Sequence, residues 1–349
     1  MRVAFALAGL GGFNAHGAGF LAAATRWRVK PELVTATSGQ ILVLADWLGG
    51  KDLRANLVSA GRDGNPFTQL QTALFGYPGV FRPAYQEALA RFAALPNFRE
   101  GLLAAIADRF LPPQQYVPAR PDTDFQSVAD TFNGSATGVL FNSYEPKTGK
   151  GVLYGNQAAR DLMPAEKAIP NAHAASIRQG PHQHDLRYVS DVSDESEIHP
   201  ITAEAVKSAL WLSLYGFHDI PDGKMDGAYH RSCIVSELHV FDRIFVVRPL
   251  ANGWHGKEPT NWFEVQDWQY EMWFSVGYKA EVDALKRIND LIDTGVITDA
   301  KFKKVELVEI EPETPAGYFN YFVERNEVYD KAFEASEKMF EALGPAKPE

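Results

Sequence analysis

One cysteine, Cys233, stands in 349 residues. That excludes an intramolecular disulfide framework and a multi-cysteine zinc site, and it fits a reducing cytoplasm as the compartment. Long apolar runs are missing as well, and no stretch reaches the ~18 uninterrupted apolar residues of a membrane span. Basic charge is scarce: 34 Lys and Arg against 44 Asp and Glu leave a formal net charge of −10. Phosphate neutralisation needs clustered cations, so nucleic acid is excluded as the main partner. The deficit is uneven, because residues 251–349 carry 20 acidic and 11 basic side chains, nearly all of the imbalance. Contact with an anionic surface would therefore fall to the N-terminal part. Internal repeats and low-complexity tracts are absent.

What is present begins at the N-terminus. Val3-Ala4-Phe5-Ala6-Leu7-Ala8 is a short apolar run that breaks into Gly9-Leu10-Gly11-Gly12, the pattern of a buried strand entering a loop. Arg2 and this run superficially suggest a secretory leader. The run is short for one, however, and the glycines from Gly9 to Gly19 suit a structured loop. A helix is expected from Ala15 to Trp27, and a second strand at Leu33–Thr37. Ser38 then opens another apolar helix, Ile41 to Leu48, which stops at Gly49-Gly50.

Further on, Lys51–Ala60 reads as a helix. Residues 62–135 read as a helical excursion, with helices at Tyr85–Phe92 and Phe98–Phe110, placed to cover a site as a lid would. Gly138–Asn142 and Gly151–Tyr154, joined by Pro146-Lys147-Thr148-Gly149-Lys150, form a hairpin pattern. Residues 171–200 read as a long polar loop, Ala203–Tyr215 as one helix and Arg243–Leu250 as a late core strand. Two amphipathic helices follow, one carrying Trp262, Val265, Trp268, Met272 and Val276 on a single face, the other at Ala280–Ile292. The aromatic cluster from Trp254 to Phe274 is expected to pack in the core rather than to meet lipid. An edge-like strand at Val305–Ile310 and a long helix at Tyr318–Leu343 close the chain. Strands alternating with helices argue for an α/β layered fold.

A serine at a strand-to-helix turn, with glycine-rich backbone nearby, suits acyl transfer: the turn exposes the hydroxyl, and amides unobstructed by Cβ atoms approach the developing oxyanion. From Ser38 alone, a serine helix cap remains an equal alternative. A dinucleotide site is disfavoured. Gly9-x-Gly11-x-x-Asn14 lacks the third glycine, and the second strand ends at Thr37-Ser38 without an acidic residue. His182 and His184 read as surface loop residues rather than metal ligands. His230 and His239 could complete a triad with Asp226, but Ser38 comes too early in the chain for the α/β-hydrolase order.

Three blocks in order resemble the patatin-like phospholipase family: Gly9-Leu10-Gly11 through Gly19-Phe20-Leu21, Val34-Thr35-Ala36-Thr37-Ser38-Gly39, and Met225-Asp226-Gly227-Ala228-Tyr229. The hairpin turn Thr148-Gly149-Lys150 is similar too. The resemblance spans roughly residues 1–250 and implies a three-layer α/β/α sandwich around a mixed, mostly parallel sheet. It implies Ser38 as nucleophile, Asp226 as base, and Gly11 and Gly12 amides as the oxyanion hole. Gly9, Leu10, Gly39 and Gly227 would support them. It further implies an acyl-ester or lipid substrate, peripheral membrane contact, and neither metal nor organic cofactor. Residues 251–349 would form an acidic, mainly helical extension packed on that domain. Departures stand at Ala36 and Gln40, which replace the glycines flanking the usual nucleophile, at Phe13 and Asn14 in the loop, and at Ser232-Cys233 after the aspartate. They leave a divergent hydrolase and a non-enzymatic lipid- or partner-binding scaffold as the two readings.

Overall fold

The computed structural model describes residues 1–10, 14–59, 81–83, 89–90, 93–94, 101–103, 105–106, 116–118, 121–163, 197–251, 253–298, 303–318, 321 and 325–344. The readings at Gly11, Gly12, Phe13, His182 and His184, and most of the helical excursion and polar loop, lie outside these residues.

The centre is a mixed, mostly parallel eight-stranded sheet with helices on both sides, an α/β sandwich. Its strands are β1 (Val3–Leu7), β2 (Leu33–Ala36), β5 (Gly138–Glu145), β6 (Lys150–Gly155), β7 (Ile198–Pro200), β8 (Met225–Asp226), β9 (Arg243–Val247) and β10 (Glu306–Ile310), in the order β10-β9-β1-β2-β5-β6-β7 with β8 on β5. Two short strands, β3 (Phe81–Pro83) and β4 (Tyr116–Pro118), pair separately. β1 runs parallel to both β2 and β9, and β2 runs parallel to β5. Buried on both faces, these strands read as unbroken apolar runs rather than alternating ones.

The strand period of two divides the core. Phe5, Leu7, Val34, Val139, Phe141 and Phe245 face one layer, whereas Ala4, Ala6, Leu33, Leu140, Ile244 and Val246 face the other. The first layer holds α1 (Ala15–Arg26), α2 (Gln40–Leu48), α3 (Leu53–Ser59), α4 (Asp122–Asn133), α6 (Ala203–Ala209) and α8 (Arg325–Leu343). The second receives α5 (Gln157–Leu162) and much of α7 (Trp262–Asp293). Among the described residues, no helix is long and apolar enough to cross a membrane.

The hairpin stands as expected, with β5 and β6 antiparallel and Gly149 at φ +76° in the turn. Four expectations need correction. Residues 198–200 lie in the polar loop by sequence, yet they pair with β6 as β7. The helix from Ala203 stops at Ala209, because the Trp211 carbonyl accepts the Asp226 N–H (2.9 Å) rather than extending the helix. The two helices after residue 260 are one, α7, continuous through Gly277, where a Cβ would stand 2.8 Å from Ser232 Oγ. The face of α7 chosen by sequence is also the wrong one for the core. Val265, Trp268 and Val276 are 37%, 39% and 65% exposed, while Phe274, Tyr278, Val282 and Leu285 are buried; of the aromatic cluster expected in the core, Trp268 and Trp273 are thus both 39% exposed and Phe274 is buried. Tyr278, Val282 and Leu285 of this second stripe pack with Cys233, Val235, Leu238 and Val246, and Phe274 packs in the other layer, so tertiary packing sets the helix's rotation.

Residues beyond 250 enter the same architecture. β10 extends the sheet at its β9 edge, and α8 lies along α1. At Gly19 a Cβ would come within 2.3 Å of the Tyr329 carbonyl oxygen, so glycine is what lets those two helix backbones approach.

Candidate active site

Three chain segments meet where parallel strands end, which is where α/β sheets place their ligands. β1 and β2 pair in register through Leu7 and Ala36. Their next residues therefore emerge side by side: Ala8-Gly9 from one, Thr37-Ser38 from the other. β5 brings the third, because β8 pairs with it antiparallel and sets Asp226 opposite Ser143.

Ser38 has φ +56°, a left-handed conformation rare for a residue with a Cβ. Holding such a conformation costs roughly 1–3 kcal/mol and is typical of sharp functional turns. The Ser38 carbonyl accepts the Ile41 N–H (2.9 Å) as α2 begins, but its side chain does not cap the helix. The hydroxyl instead donates to Asp226 Oδ2 at 2.5 Å, across 188 positions of sequence. The simple helix-cap account of this serine therefore fails. Ser38 also stands at the positive end of α2, which favours negative charge developing beside it.

Asp226 is gripped on every side. Its N–H donates to the Trp211 carbonyl, and its Oδ1 accepts the Ala228 N–H at 2.8 Å. Asn142, on β5, donates through Nδ2 to the carbonyls of Gly227 (3.2 Å) and Arg231 (3.0 Å), tying both ends of the turn that follows the aspartate. A Cβ on Gly227 would stand 2.3 Å from that amide, which explains the glycine after Asp226. Ser38 and Asp226 are each only 1% exposed. Burial pushes the Asp226 carboxyl up to about 7, against the opposing bonds from Ser38 and Ala228. At neutral pH it is thus poised to take and return a proton.

Gly9 presses on the serine from the other strand. Its Cβ would lie 2.5 Å from the Thr37 carbonyl oxygen and 2.8 Å from Ser38 Cβ. Its N–H donates to the Ser232 carbonyl at 2.7 Å, so that amide is already committed. Leu10 is fully buried beside it, and Gly39 takes helical angles at the start of α2.

Neither histidine weighed for a triad mediates between serine and aspartate, which bond directly. The His230 ring stacks on Tyr144 at 6.0 Å, and His239 Nδ1 contacts the Ser236 carbonyl at 2.8 Å. Among the described residues, no group of three His, Cys, Asp or Glu side chains could hold a metal ion.

Sequence reasoning missed Asn142 and a buried polar group behind the elbow. His16 is fully buried at the start of α1, with Nδ1 2.5 Å from Tyr321 Oη and Nε2 2.9 Å from the Ala8 carbonyl oxygen. Gln40 Nε2 lies 2.9 Å from His16 Nε2 and donates to the Ala8 carbonyl at 3.3 Å. Room for Gln40 comes from Gly17, whose Cβ would sit 2.1 Å from the amide oxygen. The bulk that looked out of place in the sequence is thus matched by a glycine on the facing helix. Comparison with family models and with curated proteins gave no match for this chain.

Proposed function

We propose that this protein is a serine acyl-ester hydrolase, with Ser38 as nucleophile and Asp226 as its base. One observation carries the reading: a serine held at φ +56° at the end of a parallel strand donates a 2.5 Å hydrogen bond to a buried aspartate. Strain, a direct base and exclusion of water occur together at one hydroxyl, as an activated nucleophile requires. The resemblance to patatin-like phospholipases supports the same assignment, because Ser38 and Asp226 are the residues its blocks single out.

In the proposed reaction, Ser38 Oγ attacks the ester carbonyl carbon as its proton passes to Asp226 Oδ2. The resulting oxyanion is stabilised by the positive end of α2 and by loop amides, for which Gly11 and Gly12 are the candidates. Collapse of the tetrahedral intermediate breaks the bond to the alcohol, which leaves with the proton from Asp226. Water then attacks the acyl-serine, Asp226 again takes a proton, and the acid is released with the serine restored. The proposed substrate is an acyl ester of lipid type, met in the cytoplasm or at a membrane surface, and the proposed chemistry needs neither metal nor organic cofactor.

Hydrolysis across a panel running from short p-nitrophenyl esters to phospholipids tests the reading. Ser38→Ala is expected to lower kcat at least 10³-fold while leaving the folded structure intact. Full activity in that variant rules the mechanism out. The near-complete burial of Ser38 favours a second reading, a scaffold of this fold that binds lipid or a partner without turnover. Binding of a panel lipid, unchanged by Ser38→Ala and without hydrolysis, would decide for it.

A further inference from the structure

The hydrogen bonds behind the elbow converge on one peptide plane, that between Ala8 and Gly9. Its carbonyl oxygen is met by His16 Nε2 (2.9 Å) and by Gln40 Nε2 (3.3 Å), and its N–H donates to the Ser232 carbonyl (2.7 Å). Both edges of the plane are held, so its orientation is fixed. That orientation matters because Gly9 has no clearance on Ser38: the space a Cβ would fill is already taken by Thr37 and Ser38 atoms. A tilt of the plane would carry the glycine strand-end into or away from the nucleophile.

His16 holds this plane only while its ring is held itself. Tyr321 Oη stands 2.5 Å from Nδ1 and also accepts the backbone N–H of His16 at 3.1 Å. The hold on Ala8 requires the tautomer with the proton on Nε2: the Tyr321 hydroxyl then donates to Nδ1 while Nε2 donates to the Ala8 carbonyl, whereas a proton on Nδ1 would leave Nε2 facing that carbonyl as a second acceptor. Burial pushes the imidazole down to about 4, so it stays neutral through the physiological range. Tyr321 comes from a turn that is itself anchored. Its N–H donates to the Gly317 carbonyl (3.3 Å), and the Gly317 N–H donates to the buried Glu271 carboxylate on α7 (2.7 Å).

We propose that Tyr321 is a positioning residue for the Ser38 site: acting through His16, with Gln40, it sets the Ala8–Gly9 plane against the nucleophile. The segment after residue 250 thereby tunes the reaction through a contact between residues 305 positions apart in sequence, Tyr321 and His16. The proposal rests on the hydrolase reading above and assigns to that segment a part in the same site. It also accounts for Gln40, which gives the elbow helix its own hold on the plane.

Tyr321→Phe keeps the ring and removes the one oxygen that bonds His16. Its kcat on a p-nitrophenyl ester is expected to fall about 10- to 100-fold with KM within about twofold, since small displacements of reacting groups cost rates of that order. Labelling of Ser38 by a fluorophosphonate should slow by the same factor. Gln40→Leu should lose a similar amount, and the double variant little more than the worse single one, because both act on the same plane. Val328→Ala, which opens a cavity at a fully buried side chain that makes none of these hydrogen bonds, serves as the stability control, with a lowered Tm and wild-type kcat when assayed while folded. Wild-type kcat in folded Tyr321→Phe overturns the proposal, as does a loss in kcat that tracks Tm equally in Tyr321→Phe and Val328→Ala. Should Tyr321→Phe fail to fold, wild-type kcat in Gln40→Leu overturns it instead. If the wild-type protein neither hydrolyses the panel nor labels, the hydrolase reading itself has failed and the positioning role falls with it.

Discussion

At the scale of single residues, the site is defined by what its atoms give up. Ser38 forgoes a comfortable backbone conformation and a helix-capping bond, and Asp226 forgoes water. The aspartate's cost has a readable sign. Its carboxyl is raised from 3.8 to about 7 on folding, so between those values the folded state holds a proton that the unfolded state has released. The contribution of Asp226 is most favourable below about pH 4 and becomes a penalty as pH rises through 7, on the order of a few kcal/mol. Asp226→Asn is therefore expected to raise Tm above pH 7, with the gain vanishing near pH 4, while abolishing turnover. Thermal melts of both proteins across that range check the sign; a variant that is less stable at pH 8 contradicts it. Wild-type kcat should climb with pH through about 7, as the base ionises. Ser38 stood out in sequence through its strand-to-helix turn, and Asp226 only through the resemblance of its block to a family motif. Asn142 was not legible, since it lies inside an apolar strand run, and Tyr321 was not, since no spacing links it to His16.

At the scale of elements, apolar runs ending in glycine marked β1 and its loop, and the hairpin turn was fixed by Gly149. Ends and faces were harder to read. The helix from Ala203 looked longer because Trp211 and Leu214 kept its periodicity, yet the Trp211 carbonyl was needed by Asp226. The two helices read after residue 260 are one, and Gly277, between them, marks a close approach of α7 to Ser232. α7 carries two apolar stripes, and only its tertiary contacts decide which is buried. The same logic predicts a substitution against helix propensity. Alanine is preferred over glycine inside a helix by about 1 kcal/mol. At Gly19 in α1, however, a Cβ would strike the Tyr329 carbonyl and the Phe333 amide nitrogen of α8, at 2.3 and 2.9 Å. Gly19→Ala should destabilise by about 1–3 kcal/mol, measured by urea unfolding. A stabilised variant would mean that α1 and α8 do not pack this closely.

For the whole molecule, strand and helix alternation anticipated an α/β layered fold and the family resemblance its mixed sheet, whereas the burial of a second carboxylate was invisible. Glu271 stood in an exposed-looking amphipathic pattern, but it is 1% exposed and burial raises it to about 7. With Asp226 it makes the protein's stability rise as pH falls from about 8 towards 6.5. Below that His16, held down to about 4, opposes the trend, because the unfolded chain takes up the proton that the buried ring refuses. Urea unfolding at pH 8 and pH 6.5 should show the gain, and Asp226→Asn with Glu271→Gln should remove most of it. Equal wild-type stability at the two pH values would show that the folded state does not hold these protons. Acid chemistry and fold are thus joined at one point, the bond between Ser38 and Asp226. The most direct measurement there is covalent labelling of the folded protein with a fluorophosphonate, followed by mapping of the adduct by mass spectrometry. An activated nucleophile predicts one adduct, on Ser38, formed faster as pH rises through about 7 and lost in Asp226→Asn. No adduct, or an adduct at another serine, would contradict the account.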